Sequence, residues 1–184
     1  MNLPNALTLS RIVLAVVLVY LLEMSSPTGN ILAAIVFAIA SITDFYDGYL
    51  AKKNGLVSDF GKIMDPIADK VLLLSTLAVL AHIGMIAWWI FIVIAIREIF
   101  VTVSRLLAMR QGKVLAAERA GKIKTVVQII AVSSILLYMV AQQSEYSSWF
   151  SQVQHPWHLI NQGILLLAVI LTIYSGVEYF CNKR

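Results

Sequence analysis

The chain has 184 residues, of which 60% are hydrophobic and 13% are charged, and its mean hydropathy is +0.84. Soluble domains carry about 25% charged residues, so this composition excludes an ordinary soluble domain and indicates an integral membrane protein. The net charge of +4 does not indicate a nucleic-acid-binding protein, because no basic segment interleaved with aromatic residues lies outside the apolar stretches.

Six apolar stretches follow one another along the chain, each near the ~20 residues that a helix needs to cross a bilayer. They cover residues 8–24, 29–51, 65–83, 85–105, 123–142 and 157–180. We predict an all-α integral membrane protein with six transmembrane helices. A single membrane domain over residues 1–184 is expected, because no long linker or internal repeat divides the chain. Pro27 and Pro156 are expected just before helix starts, and Pro66 in a first helical turn.

The basic residues lie on one side of these predicted spans. All 14 Lys and Arg residues fall in the second and fourth loops, at the termini or in the adjoining helix halves. Because positively charged loops stay in the cytosol, both termini are predicted to be cytosolic, in a multi-pass protein of the bacterial cytoplasmic membrane. The four Trp residues are expected at the opposite interface, where amphipathic rings are favoured. They are Trp88, Trp89, Trp149 and Trp157.

Carboxylates and small residues form one stripe on the second predicted helix and another on the third, because they recur at intervals of three and four residues. The first stripe consists of Asp44, Asp47, Gly48, Ala51 and Lys52, and the second of Gly61, Asp65 and Asp69. A short connection makes the two helices antiparallel neighbours, so the stripes can face each other near the cytosolic surface. We therefore expect four carboxylates to converge there.

Four unpaired carboxylates at the membrane edge would be strongly destabilising, so the cluster needs cations. Hard oxygen ligands in this number favour Mg²⁺ or Mn²⁺, usually shared with phosphate oxygens. Two such ions bridged by carboxylates suit displacement at a phosphoryl group. The small residues Gly48, Ala51 and Gly61 leave room for a substrate to approach the helices closely.

Individual carboxylates also have structural interpretations. Asp65, which precedes a proline, suits a helix N-cap. Asp44 and Asp47 could form ion pairs instead. Their partners would be Lys52 and Arg97. A divalent-cation or proton-coupled transporter would also place carboxylates among helices, but this cluster lies at one surface and the chain has no repeated halves.

The spacing D-x2-D-G-x2-A-K-x8-G-x3-D-x3-D, which begins at Asp44, is similar to the signature of the CDP-alcohol phosphatidyltransferases, a family of six-helix membrane enzymes. One position departs from it, since Lys52 stands where the family usually has Arg. The resemblance implies that Asp44, Asp47 and Asp65 ligate metal. It also implies that Asp69 lies near the metal and acts as the general base. The residues implied in CDP binding are Asp44, Asp47, Gly48, Ala51, Lys52 and Gly61.

Further motifs resemble the members of that family whose acceptor is sn-glycerol 3-phosphate. They include Asn2-Leu3-Pro4-Asn5, Arg97-Glu98-Ile99 and Gly121-Lys122-Ile123-Lys124-Thr125. The resemblance implies a homodimeric enzyme that transfers the phosphatidyl group of CDP-diacylglycerol to this acceptor and releases CMP. Other acceptors of the same chemistry are phosphatidylglycerol, serine and inositol phosphate.

A phosphorylated acceptor requires cations in its binding site. The candidates are Arg97, Arg105, Lys122 and Lys124. Arg97 lies well inside a predicted span, where an arginine normally has a partner. That partner could be Glu98, an aspartate of the cluster or the acceptor phosphate. For the other three residues, positive-inside topology alone is an alternative explanation.

Overall fold

The computed structural model describes the backbone of residues 3–54, 59–110, 119–142 and 147–181. Side chains are described for residues 9–43, 64, 67–68, 70–108, 121–142, 150, 152–179 and 181. The described residues form six α-helices and no β-strand, which confirms the prediction of an all-α protein. The helices are α1 (Leu3–Glu23), α2 (Pro27–Asn54), α3 (Asp59–His82), α4 (Trp88–Arg110), α5 (Arg119–Gln142) and α6 (Ser147–Cys181).

Most of these helices are longer than the apolar stretches that predicted them. In particular, α3 begins at Asp59 and α6 at Ser147. Pro66 and Pro156 therefore lie inside helices, and the prediction that they mark helix starts is wrong. Hydropathy predicts helices that are too short here, because each helix also includes polar residues beside its apolar segment. Proline has no backbone N–H, so one carbonyl of the preceding turn loses its hydrogen-bond donor. A membrane helix tolerates a proline where neighbouring groups donate to that carbonyl instead.

The surface of the helices is strongly apolar. Two segments, Gly121–Gln142 and Gln152–Tyr179, are long and apolar enough to cross a membrane by length and composition. Large apolar side chains are also exposed on α1, α4 and α6, where Val16, Ile96 and Ile170 are 65%, 64% and 62% exposed. Extended apolar surfaces of this kind indicate contact with lipid. The chain is therefore a membrane protein.

Contacts divide the chain into two compact units, which we term the N-terminal unit (Met1–Ile83) and the C-terminal unit (Gly84–Arg184). In the N-terminal unit, α1 packs against both α2 and α3. The three helices meet at Ala15, Ala40 and Leu72, which are buried in one cluster. Two of these three side chains are small, which allows the helix axes to approach closely.

The connection between α1 and α2 is a tight turn. Ser26 caps α2, since its Oγ accepts a hydrogen bond of 3.0 Å from the backbone N–H of Gly29. A Cβ atom on Gly29 would lie only 2.7 Å from the carbonyl oxygen of Leu21. Glycine therefore lets the start of α2 rest against the end of α1. Because Ala15 and Ala40 also share one buried cluster, the two helices are antiparallel.

Contacts in the C-terminal unit define the directions of its three helices. Two contacts join α4 to α6, Arg97 with Ser175 and Arg105 with Tyr179. From the first contact to the second, the residue number increases on both helices. These two helices therefore run in the same direction. Between α5 and α6 the order is reversed, as shown by the pairs Gln128–Thr172, Ser134–Asn161 and Tyr138–Trp157. Thus α5 is antiparallel to both neighbours, as expected for successive membrane spans.

Candidate active site

The two acidic stripes lie on continuous helices. All residues of the first stripe fall within α2, which continues to Asn54, and all residues of the second fall within α3. Asp65 is inside α3 rather than at its start, so it is not an N-cap. The side chains of the eight stripe residues, from Asp44 to Asp69, lie outside those that the structure describes.

The packing of the N-terminal unit fixes the level of the stripes along the helices. Ala15, Ala40 and Leu72 lie in one buried cluster. Asp44 follows Ala40 by four residues, and Asp69 precedes Leu72 by three. Because only residues 55–58 join α2 to α3, α3 runs antiparallel to α2 to return to the level of this cluster. The backbones at Asp44 and Asp69 are therefore each about one helical turn from the cluster, toward the same end of the unit.

The same level of α1 carries a buried cation. Arg11 precedes Ala15 by four residues, so the two lie on one face of α1. Its side chain is only 4% exposed. A buried arginine in a membrane helix is retained where anionic groups compensate its charge. Its position therefore agrees with a concentration of carboxylates at this end of the unit.

Among the described side chains, no group of three or more His, Cys, Asp or Glu residues suited to a metal ion occurs. The stripe aspartates, whose side chains lie outside the described ones, remain the predicted ligands. Their carboxylates are the hard oxygen donors that Mg²⁺ and Mn²⁺ prefer.

A buried polar cluster joins the three helices of the C-terminal unit. We term it the Glu98 cluster, and its members are Arg97, Glu98, Lys124 and Ser175. Glu98 Oε1 forms ion pairs with Lys124 Nζ and with Arg97 Nη1, the latter at 3.4 Å. Arg97 Nη2 also donates a hydrogen bond of 2.8 Å to Ser175 Oγ. The structure therefore confirms Glu98 as one partner of Arg97, and it adds Ser175.

The other two candidate cations lie elsewhere in the same unit. The guanidinium carbon of Arg105 lies 5.8 Å from the centre of the Tyr179 ring, within cation–π distance. The Arg105 Nε atom is buried and has no hydrogen-bond partner among the described residues. Lys122 is exposed, two residues before the buried Lys124 and hence on the other side of α5. The structure therefore brings Arg97 and Lys124 together but not Lys122.

Further buried polar residues support this end of the unit. Gln128 donates a hydrogen bond of 3.1 Å to Thr172 Oγ1, which in turn donates to the carbonyl of Ala168 at 2.5 Å. Thr172 and Ser175 are both fully buried. The sequence assigned no role to Gln128, Thr172 or Ser175, and it offered Glu98 only as one of several partners for Arg97. Their polarity inside apolar spans was the available signal, because such residues need partners within the membrane.

Comparison with known proteins identifies the class to which this architecture belongs. The sequence model of the CDP-alcohol phosphatidyltransferase family matches residues 1–174. The chain belongs to this family, and the resemblance found in its aspartate motif is confirmed.

Individual relatives extend over nearly the whole chain. A Bacillus subtilis protein named CDP-diacylglycerol--glycerol-3-phosphate 3-phosphatidyltransferase is 40% identical, over 99% of this chain and 95% of its own. A protein of the same name from Rickettsia bellii is 36% identical, over 99% and 96%. A Mycobacterium tuberculosis protein named probable phosphatidylglycerophosphate synthase is 37% identical, over 97% of this chain and 79% of its own.

Proposed function

We propose that this protein transfers the phosphatidyl group of CDP-diacylglycerol to the 1-hydroxyl of sn-glycerol 3-phosphate, giving phosphatidylglycerophosphate and CMP. The observation that carries this proposal is the similarity, along almost the entire chain, to proteins named for this reaction. The complete aspartate motif on α2 and α3 supports the chemistry.

The stripe aspartates form the metal site in this proposal. Asp44, Asp47, Asp65 and Asp69 would hold two Mg²⁺ or Mn²⁺ ions. Such ions neutralise the pyrophosphate of the donor and stabilise the charge that develops on the departing CMP. The donor nucleotide lies along the small residues of the stripes, Gly48, Ala51 and Gly61, which permit close approach to the helix backbone. Lys52 supplies a positive charge to a donor phosphate, as a point charge rather than the planar fork of an arginine.

Asp69 is the general base. The acceptor hydroxyl oxygen attacks the phosphorus that is esterified to diacylglycerol, and its proton passes to the Asp69 carboxylate. The bond from this phosphorus to the oxygen of CMP breaks, and CMP leaves with the bonding electron pair. The acceptor must therefore present its hydroxyl within hydrogen-bond reach of Asp69.

The acceptor phosphate binds in the positive field of Arg97, Arg105, Lys122 and Lys124. Arg97 and Arg105 are the members best suited to contact it, because a guanidinium offers paired N–H donors to phosphate oxygens. The side chain of Arg97 is 12% exposed, whereas that of Lys124 is 2% exposed and already contacts Glu98. Lys124 thus contributes charge from behind the contact surface.

The protein is proposed to cross the bacterial cytoplasmic membrane six times as one domain, with both termini in the cytosol, and to form a homodimer. The two ends of the C-terminal unit support this orientation. The Glu98 cluster lies at one end, and an aromatic cluster of Tyr138, Phe150 and Trp157 lies at the other. Aromatic rings favour the membrane interface, and the basic end is expected to face the cytosol.

The proposed reaction is tested with purified protein, CDP-diacylglycerol, Mg²⁺ and radiolabelled sn-glycerol 3-phosphate. CMP and labelled lipid are expected in equal amounts. Chelation with EDTA should stop the reaction, and excess Mg²⁺ or Mn²⁺ should restore it. Parallel reactions contain phosphatidylglycerol, serine or inositol phosphate as the acceptor. Product with one of these and none with glycerol 3-phosphate would show that the acceptor assignment is wrong.

A further inference from the structure

We propose that Glu98 is a positioning residue, which holds Arg97 in the orientation that binds the acceptor phosphate, while Lys124 compensates the charge of Glu98. This inference rests on the proposed function of the acceptor site. It adds an acidic residue to a site that is otherwise defined by cations.

The geometry fixes the Arg97 guanidinium from two sides. Its Nη1 atom lies 3.4 Å from Glu98 Oε1 on α4, and its Nη2 atom donates a 2.8 Å hydrogen bond to Ser175 on α6. Ser175 Oγ is itself oriented by donation to the Thr172 carbonyl at 3.2 Å. A guanidinium is planar, so contacts at both terminal nitrogens determine the direction of its plane.

Exposure distinguishes the roles of the three charged residues. The side chains of Glu98 and Lys124 are 1% and 2% exposed, whereas that of Arg97 is 12% exposed. Arg97 is thus the member of the trio that a ligand reaches first. Glu98 lies behind Arg97 and contacts Lys124 in turn.

The charges of the cluster explain why a carboxylate is useful next to an anion-binding residue. If Glu98 stood alone with Arg97, the pair would be neutral and would attract phosphate weakly. Lys124 brings the formal charge of the three groups to +1, so the cluster stays attractive to an anion while each buried charge has an opposite partner. Together the three groups provide both the orientation of Arg97 and a residual positive charge.

The test separates substrate affinity from folding. In Glu98→Gln, the KM for sn-glycerol 3-phosphate is expected to rise about tenfold, the effect of losing one charged hydrogen bond. The KM for CDP-diacylglycerol should stay within about twofold of the wild-type value, and Glu98→Asp should have an intermediate acceptor KM. An unchanged acceptor KM, with activity reduced only in proportion to folded protein, would overturn the proposal.

Two further variants keep the result decisive. Ser175→Ala removes the second contact of Arg97 and leaves all charges in place, so it should also raise the acceptor KM selectively even if Glu98→Gln fails to fold. An unchanged acceptor KM in a folded Ser175→Ala variant would contradict the role of a fixed Arg97. Asn161→Leu is the matched control, because Asn161 is buried and accepts a 2.6 Å hydrogen bond from Ser134 at the other end of the unit. It should lower the melting temperature without changing either KM.

The wild-type reaction is measured first. If wild-type protein makes no product from glycerol 3-phosphate, the proposed function fails. If it does make product and the Glu98 and Ser175 variants keep its acceptor KM, only the present inference fails.

Discussion

Asp69, like Asp44, lies about one helical turn from a packed contact between helices. It precedes Leu72 by three residues, and Leu72 is buried against Ala15 and Ala40 where three helices meet. A base must be held in one place relative to the hydroxyl that it deprotonates. The packed backbone near Leu72 would provide that support for the proposed base.

Replacing Asp69 by asparagine tests its role as the base. Asn keeps the size of the side chain but cannot accept the hydroxyl proton, so kcat should fall about 10²- to 10⁴-fold. CMP release measures the effect, and the melting temperature should stay close to that of wild type. Ser75→Ala serves as a control in the same helix, because the Ser75 hydroxyl only bonds the Leu72 carbonyl of its own helix, at 3.1 Å. Turnover retained in folded Asp69→Asn would rule out Asp69 as the base.

Some groups of residues can be recognised in the sequence, and others only in the folded structure. The aspartates share a local spacing, so their motif is visible without coordinates. The ion pair of Glu98 with Lys124 joins residues 26 positions apart on two helices. No periodicity links such residues, and only the fold, in which α4 and α5 both pack against α6, reveals the pair. For this reason Lys124 was assigned to the acceptor phosphate without its buried partner.

At the scale of the elements, the start of α2 depends on its close approach to α1. Gly29 lies where a side chain would meet the backbone of Leu21 and the hydroxyl of Ser26, at 2.7 and 2.8 Å. A backbone carbonyl cannot move away without disturbing the end of α1. The position of α2 along α1, and hence the level of its aspartate stripe, therefore depends on this glycine.

Gly29→Ala should destabilise the protein by about 1–3 kcal/mol, the usual effect of inserting a methyl group into a filled space. Gly163→Ala in α6 is the matched control, since a Cβ atom there meets nothing within 4 Å. That change should be neutral or stabilising by roughly 0.5–1 kcal/mol, because alanine favours the helix. Thermal unfolding in detergent compares the two. Equal melting temperatures of the variants would contradict the close approach at Gly29.

Hydropathy and periodicity located all six helices but not their full extent. The apolar signal ends near Ala51, whereas α2 continues through polar residues to Asn54. It starts near Trp157, whereas α6 begins at Ser147 and includes Pro156. Hydropathy measures where lipid contacts the chain. The backbone hydrogen bonds of a helix continue into the polar zone, where this measure carries no information.

At the scale of the whole molecule, the proposed orientation in the membrane can be tested by labelling a cysteine of the chain. Cys181 is exposed at the end of α6, and the sequence contains one cysteine. The end of α5, at Gln142, is also exposed. Because α5 and α6 are antiparallel, these two positions should lie on opposite sides of the membrane.

A membrane-impermeant maleimide tests this arrangement in bacterial spheroplasts that express the protein. Wild-type Cys181 should react only after the membrane is opened. The double variant Cys181→Ser, Gln142→Cys should react in intact spheroplasts, and Cys181→Ser alone gives the background. Reaction of Cys181 in intact spheroplasts would reverse the proposed orientation. Reaction of both positions from the same side would contradict spanning by α6.

The direct succession of Arg97 and Glu98 has a consequence for synthesis. Lys124, the other partner of Glu98, follows 26 residues later, so α4 leaves the ribosome before Lys124 does. Arg97 and Glu98 are consecutive in the chain, and Nη1 and Oε1 lie 3.4 Å apart in the folded protein. We therefore expect the nascent helix to enter the lipid with a neutral pair rather than a bare carboxylate, whose insertion would be costly. The arginine proposed to bind the acceptor would then first supply the counter-charge for the insertion of its own helix.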